Sequence, residues 1–373
     1  MKKILFVCNH MLGGGAERVA ALLMNRLSVK YDVSLAVLYE QGSDYYLNNN
    51  IRIHNLCKRA SKNKINNWIC FFSRTLELRR LIKQERPDVI ISFLARSNIS
   101  TLLAAKSFGE LCKVIVTEHG PVKDCLPETK KPILLYLLRN FIYDKTDYLV
   151  GVSKGVTNNY GKVLRLSSNK LITIYNPLEI DDINNKSKER INHPWFKNKK
   201  SPILLAIGRL CYQKGFDILI ESFKKVRQEQ EVKLIILGKG PDYDKLKNLI
   251  ELYELSNDVD LVGFEKNPFK YMKNADILVI SSRWEGFPCV LEEAMCVGTP
   301  IISTDCNFGP NEIIKNNQNG ILVKPEYPEE LYLAIKRLIN DKKLQNKFRI
   351  KSRAYSKQFD IYEVVKKYID LIE

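Results

Sequence analysis

Two carboxylates, Glu285 and Glu293, stand with seven residues between them in a stretch that opens Ser281-Ser282-Arg283-Trp284 and closes Val297-Gly298-Thr299-Pro300. An apolar run at 276–280 predicts a buried strand ahead of it, and Pro288 and Gly298 frame a helix. Proline suits the first helical position, where its missing N–H has no partner to lose, and glycine suits the residue past the end. The backbone donors of residues 287 to 290 then face a turn where the helix dipole favours a phosphate-sized anion. Glu285 in the turn and Glu293 about a turn and a half into the helix can both reach a ligand laid across the helix start. Spacing alone also allows both carboxylates to be solvated.

A second cluster is cationic. Gly208-Arg209-Leu210 follows an apolar run at 203–207, and Gln213-Lys214-Gly215-Phe216-Asp217 comes directly after. A guanidinium and an ammonium in one loop would neutralise a diphosphate, the first as a bidentate fork and the second as a point charge. Gly238-Lys239-Gly240-Pro241 and Gly263-Phe264 close two later runs, where absent side chains would let a flat ring such as a nucleobase approach the backbone. A simple turn is the alternative at each of these glycines.

In the first half, Glu118-His119-Gly120 ends the run 113–117, which puts one of the four histidines at a strand's carboxyl end; His10 follows the first run in the same way. A lone histidine is more often structural, but ligands of open α/β sheets lie beyond those ends. No His/Asp cluster has ligand spacing and no Asp-x-Asp occurs, so neither a metal nor a cofactor is expected.

The elements that must hold these residues alternate. Residues 2–8 read as a strand, 9–15 as a glycine-rich loop and 16–28 as a helix; Gly-Gly-Gly-Ala-Glu-Arg at 13–18 matches neither the dinucleotide fingerprint nor a Walker motif. Strands at 33–38, 88–92, 113–117, 148–150 and 171–174 follow, with helices at 67–84, 97–106, 131–143 and 154–165 between them. The stretch 176–201 is poor in apolar residues beyond Trp195 and Phe196 and reads as a linker. Strands at 203–207, 232–237, 259–262, 276–280, 300–303 and 320–323 then alternate with helices, and 329–340, 343–359 and 360–372 are helical by spacing. The expected fold is α/β, with two Rossmann-like parallel-sheet domains and a last helix that crosses back to the first. The expected boundaries are 1–178, a linker at 179–200, 201–355, and the returning helix at 356–373.

Composition narrows the class. Each half of the 373 residues is long enough for its own core. Nine cysteines, an odd number without a Cys-x-x-Cys pair, suggest neither a disulfide framework nor a zinc ribbon and fit a reducing cytosol. The run 4–8 is too short for a signal peptide, and no run approaches the roughly 18 to 20 apolar residues of a membrane span. The net charge of +17 is uneven, with 27 Lys and Arg against 14 Asp and Glu in residues 1–180 and 32 against 28 in the rest. A positive first half suits nucleic acid, anionic lipid or a diphosphate substrate, and a solvated surface is the plain alternative. Residues 58–86 and 130–143 mix cations with aromatic or aliphatic residues, a composition suited to an anionic membrane surface or to helices that pack one face and solvate the other.

Taken together, the string from Glu285 through Glu293 with Gly286-Phe287-Pro288 behind the first carboxylate resembles the signature of family-4 retaining glycosyltransferases of the GT-B fold. Gly13 to Arg18, Glu118-His119-Gly120, Val152-Ser153-Lys154-Gly155, Asn176-Pro177, Gly208-Arg209-Leu210 with Lys214-Gly215, and Gly309-Pro310-Asn311-Glu312-Ile313 carry the same resemblance over both halves. The resemblance implies two domains facing across a cleft, retention and no metal. It assigns catalysis to His119, Arg209, Lys214 and Glu285. Arg209 and Lys214 would hold the diphosphate, Glu285 the donor sugar and Glu293 the ribose, while His119 would contact the sugar near the reacting carbon. Gly14, Gly15, Gly208, Gly238, Gly240, Phe264, Gly286, Phe287, Pro288, Cys289 and Val290 would complete nucleotide-sugar binding. Pro288 stands where many members have glycine, which removes one N–H donor.

The motifs of the first half are also similar to bacterial transferases that extend undecaprenyl-diphosphate-linked oligosaccharides. That implies a UDP-sugar donor (GalNAc, GlcNAc or Gal, with GDP-mannose behind), a lipid-diphosphate-linked saccharide acceptor and a peripheral place on the inner face of the cytoplasmic membrane. A sugar-nucleotide epimerase of the same architecture is the alternative, expected to lack the Glu285–Glu293 string. A basic nucleic-acid-binding protein is a third reading, without any RNA or DNA motif to support it.

Overall fold

Apolar runs of four to six residues, too short for core helices and bounded by glycine or charge, become parallel strands joined by amphipathic helices. The computed structural model describes residues 1–39, 42–56, 64–105, 112–122 and 142–373, which divide into two compact units. The first comprises Met1–Pro177 and Ile361–Glu373, the second Leu178–Asp360.

In the first unit the described strands are β1 (Lys3–Cys8), β2 (Asp32–Val37), β3 (Arg52–Asn55), β4 (Val89–Phe93), β5 (Lys113–Glu118), β6 (Tyr148–Gly151) and β7 (Leu171–Thr173). They pair in the order β3-β2-β1-β4-β5-β6-β7, parallel throughout. Ile4 to Cys8 are all buried, as a central strand covered on both faces requires. β3 was not expected from the sequence: Arg52-Ile53-His54-Asn55 is a half-exposed edge strand with too little apolar content to signal itself.

The helix Ile361–Ile372 belongs to this unit, packing Val364, Tyr368 and Ile372 into its core. Lys113 Nζ donates to Leu371 O at 2.8 Å, and Tyr31 Oη donates to Glu373 Oε1 at 2.6 Å. The last helix therefore starts later than the expected 356; Lys342–Ser356 and the short turn Lys357–Phe359 stay with the second unit. The helix expected at 131–143 falls, apart from its last two residues, outside the described residues, as do residues 58–63 of the first basic segment.

In the second unit β8 (Ile203–Ile207), β9 (Lys233–Leu237), β10 (Val259–Gly263), β11 (Ile277–Ile280), β12 (Ile301–Thr304) and β13 (Ile321–Val323) pair in parallel in the order β10-β9-β8-β11-β12-β13. The stretch expected as a linker is folded into this unit. It contains the helix Ile180–Lys186, with Ile183 fully buried, and the short helix Pro194–Lys197. Leu178 N–H donates to Phe359 O at 2.7 Å, and His193 Nε2 lies 3.1 Å from Asp260 Oδ2 on β10. A few apolar residues at the right points suffice to dock a segment that is polar by composition.

Each sheet reverses its strand order once, between β1 and β4 in the first unit and between β8 and β11 in the second. The loops beyond the carboxyl ends of those pairs diverge there, which opens a crevice in each unit.

Candidate active site

The carboxyl ends of β8 and β11 meet through charge. Lys214 Nζ lies 2.6 Å from Glu285 Oε1, and Ser282 Oγ donates to the same oxygen at 2.6 Å. Glu285 is 6% exposed and Lys214 partly buried, so the pair is held away from bulk solvent. An ion pair this sheltered is screened less than a surface one, and removing either partner leaves a costly charge behind. Glu285 is therefore fixed in the turn rather than solvated, and Glu293, 4% exposed in the helix Cys289–Val297, is likewise buried. Near Glu293 the Cys296 thiol is pushed up to about 12, by burial first and then by that carboxylate.

Neighbouring residues lock the Glu285 turn. Arg283 donates from both terminal nitrogens to the two oxygens of Asp217 at 3.0 Å each, donates from Nε to Glu326 at 2.9 Å and lies 3.9 Å above the Tyr212 ring. Bidentate geometry of this kind fixes orientation as well as position. Its backbone N–H donates to Gln213 O at 2.8 Å, Gln213 Nε2 donates to Trp284 O at 3.0 Å, and Ser281 Oγ donates to Lys214 O at 2.9 Å. The β8 and β11 loops are thus laced together on both sides of the ion pair. Burial pushes the Cys306 thiol up to about 12, with Glu285 adding to the rise and Thr304 and Lys214 opposing it. Asp217, Arg283, Ser282 and Cys306 were given no role from the sequence; Asp217 and Arg283 lie inside the two stretches that carry Lys214 and Glu285, but their pairing exists only in three dimensions.

The other expected site residues divide into groups. Arg209 is exposed directly after Gly208, whose missing side chain makes room for the stem of Lys214. At Gly238 a Cβ would overlap Gly208 O and at Gly240 it would overlap Leu210 O, so these two glycines serve the close approach of the β8 and β9 loops to each other. Phe264 projects at 72% exposure beside Gly263, where a Cβ would meet open space. Gly286 and Val290 are half-buried, and Phe287 is buried with its ring 6.0 Å from that of Phe359, a packing contact. Cys289 Sγ lies 4.0 Å from Phe287 O. Pro288 is the residue before the helix, in extended conformation, and Cys289 is the first helical residue; the start lies one position later than the proline rule placed it. Gly309 packs against Gly286, Phe287 and Pro288 and holds their loop from outside.

His119, Gly14 and Gly15 belong to the first unit. Gly14 precedes the helix Gly15–Leu27. His119 follows β5 with its ring 5.8 Å from that of Phe93, and its Nε2 is buried without a hydrogen-bond partner among the described residues. Burial pulls its pKa down to about 4, so the imidazole is neutral at physiological pH. Beside it Glu118 is fully buried and accepts from Asn98 Nδ2 at 2.8 Å and Tyr143 Oη at 2.7 Å.

The sequence model of Glycosyltransferase Family 4 matches residues 13–182 and that of Glycosyl transferases group 1 matches residues 187–355. An uncharacterized glycosyltransferase of Methanocaldococcus jannaschii is 31% identical over 85% of this chain and 87% of its own. The chain belongs to the family-4 glycosyltransferases. The glycosyltransferase is also 28% identical, over 98% of both chains, to the N-acetylgalactosamine-N,N'-diacetylbacillosaminyl-diphospho-undecaprenol 4-alpha-N-acetylgalactosaminyltransferase of Campylobacter jejuni. Its fold matches the Anabaena HepE structure solved with UDP at a TM-score of 0.78, 18% identity and 99% coverage of each chain. The fold is thus GT-B, and the buried Lys214–Glu285 pair of this glycosyltransferase lies within the segment matched by the group 1 model.

Proposed function

We propose that the protein transfers a sugar from a UDP-sugar, with UDP-GalNAc, UDP-GlcNAc or UDP-Gal favoured, to a saccharide linked to undecaprenyl diphosphate in bacterial surface-glycan synthesis. The anomeric configuration is retained and no divalent ion is required. The observation that carries the reading is the 2.6 Å Lys214–Glu285 contact at the crevice where the second sheet reverses order. Support for the acceptor class comes from the Campylobacter relative, whose name specifies a diphospho-undecaprenol substrate, and support for UDP from the ligand of the HepE structure.

In this reading Arg209 and Lys214 meet the diphosphate, and their fixed charge stabilises the negative charge that develops as the glycosidic bond breaks. Glu285, held by Lys214 and Ser282, accepts from the hydroxyls of the donor sugar. Glu293 accepts from the ribose hydroxyls, and the backbone N–H groups at the start of Cys289–Val297 face the phosphates. Phe264 offers its exposed ring to the base. The leaving diphosphate takes the acceptor's proton on the face from which it departs, which gives retention. The acceptor's lipid would bring the first unit to an anionic membrane, and among the described residues no helix is long and apolar enough to cross one.

The test is a panel of UDP- and GDP-sugars with a synthetic lipid-diphosphate saccharide, in EDTA. Transfer from a UDP-sugar, lost in Glu285→Gln, is expected. Donor turnover that proceeds without any acceptor would instead favour the epimerase reading, and strict dependence on Mg²⁺ or Mn²⁺ would overturn the site chemistry.

A further inference from the structure

Three helices of the second unit bring cations together away from its crevice. Lys273 stands in the last turn of the helix Phe269–Asn274, and Arg349 and Arg353 stand one turn apart on Lys342–Ser356. Both arginines reach the end of Cys289–Val297: Arg353 Nη2 donates to Val297 O at 2.9 Å and Arg349 Nη1 to Gly298 O at 3.4 Å. Gly298 is left-handed at φ 76°, and a Cβ there would overlap Arg353 Nε, so the bare backbone lets the guanidinium lie on the helix end. Cys289–Val297 runs back from the carboxyl end of β11 to the amino end of β12. Its nine residues put roughly 13 Å between the Glu285 turn and the cluster, which sits at the opposite pole of the sheet.

The cluster is short of negative charge. At the crevice Lys214 is paired with Glu285 and Arg283 with Asp217. Among the described residues, none of Lys273, Arg349 and Arg353 has a carboxylate at ion-pair distance; Asp276, whose charge Arg349 feels, is taken by Lys199 at 2.7 Å. Lys342–Ser356 adds to the deficit with six Lys and Arg and no Asp or Glu. Burial holds the Lys273 ammonium below the ordinary lysine range, and the charges of Arg353, Arg349 and Lys188 lower it further. Burial lowers the Arg349 guanidinium too, with Asp276 opposing the drop and Arg353 adding to it.

Helix capping accounts for part of this arrangement. A helix C-terminus carries about half a negative charge, so two such ends offset about one of the three cations and leave about two uncovered. The caps also use a single N–H of each guanidinium. The remaining forks and the ammonium match the oxygens of a phosphoryl group, which a guanidinium binds in bidentate fashion and an ammonium as a point charge.

We propose that Lys273, Arg349 and Arg353 form a binding site for a phosphoryl anion, with Lys188 at its margin, distinct from the site that holds the donor's diphosphate. The two arginines fork the oxygens, and Lys273 supplies the third charge from the neighbouring helix. A soluble phosphate ester and the headgroup of an anionic lipid carry the same oxygens, and Ile350, 71% exposed beside Arg349, suits the second. The site is independent of which sugar is transferred.

The test uses the full chain with its donor site filled by excess UDP. Inorganic pyrophosphate, titrated by calorimetry at constant ionic strength, should bind Lys273→Gln/Arg353→Gln about tenfold more weakly than wild type, as expected for the loss of two charge-assisted contacts. The affinity for UDP should stay within twofold. Arg353→Gln also removes a helix cap, so Lys273→Gln alone is the second variant: the residue is exposed, the fold should be intact, and pyrophosphate should bind about threefold more weakly. Vesicles of phosphatidylglycerol form the other arm. Weaker sedimentation of the variants with them assigns a lipid headgroup to the site, whereas equal sedimentation with weakened pyrophosphate binding assigns a soluble phosphate. If the variants lose neither pyrophosphate affinity nor sedimentation relative to wild type, the proposal is overturned; a loss of UDP affinity in parallel with that of pyrophosphate overturns the separateness of the two sites.

Discussion

The stem of Lys214 lies across Gly208 so closely that a methyl group on Gly208 would stand 3.2 Å from its Cδ and Cε. The first residue of the β8 loop therefore borders the stem that carries the ammonium to Glu285, and a side chain there would push that stem by a few tenths of an ångström. Gly208→Ala should displace the ammonium without disturbing the core, because the added carbon meets a flexible side chain and not backbone. The expected result is a fall in kcat of about tenfold with a melting temperature close to wild type, since small misplacements of a charge-stabilising group are costly to the transition state. Lys214→Ala removes the charge altogether and should cost two to three orders of magnitude in kcat, while strengthening no other step. Stopped assays over a range of donor concentrations separate the two outcomes; equal kcat in Gly208→Ala and wild type would show that Lys214 is not positioned by this contact.

Much of this geometry was legible in the sequence because it is local. Glu285, Arg209 and Lys214 sit in segments that directly follow apolar runs, with Glu293 in the helix that comes next, and a strand end in a parallel sheet is where ligands of such sheets bind. The clasp of Arg283 on Asp217 was not legible, because 66 residues separate the two and only the crossing of the β8 and β11 loops brings them together. The segment from Leu178 to Lys200 misled for a different reason: its polarity is real, but Ile183, His193 and Trp195 anchor it, and composition averages over such anchors. Glycine was ambiguous throughout. Gly238 and Gly240 make room for the chain's own loops, Gly14 for the chain's own carboxyl group, and a sequence does not distinguish either from room for a ligand.

The helix Lys64–Glu85 carries Phe72 and Leu76 at 56% and 54% exposure, one turn apart, followed on the same side by Lys83 with Arg80 beside it. Large apolar groups in water next to cations suit an anionic bilayer, where the rings insert and each cation near the surface adds about 1 kcal/mol. Co-sedimentation with vesicles of phosphatidylglycerol and phosphatidylethanolamine should retain the wild type and lose Phe72→Asp/Leu76→Asp, with little binding to phosphatidylcholine alone. Transfer to a water-soluble acceptor should be unchanged in that variant. Equal sedimentation of variant and wild type would place membrane contact elsewhere on the protein.

His119 gives the fold a dependence on acid that has a defined sign. Its folded pKa is depressed to about 4 by burial, whereas an unfolded histidine titrates near about 6.5. Between those values the unfolded chain binds the proton that the folded chain refuses, so the stability held above about pH 6.5 is lost as the pH falls toward 4. Allowing for a ring that is only partly enclosed, the loss attributable to this one group is roughly 2 kcal/mol. Urea midpoints measured from pH 7.5 down to pH 4.5 should therefore fall more steeply for the wild type than for His119→Gln, whose side chain keeps a polar tip but does not titrate. The two curves should converge at the acid end, even if the variant is less stable at neutral pH through lost contact with Phe93. Parallel curves would mean that His119 takes up its proton in the folded protein, leaving an imidazolium beside Phe93 in place of the neutral ring.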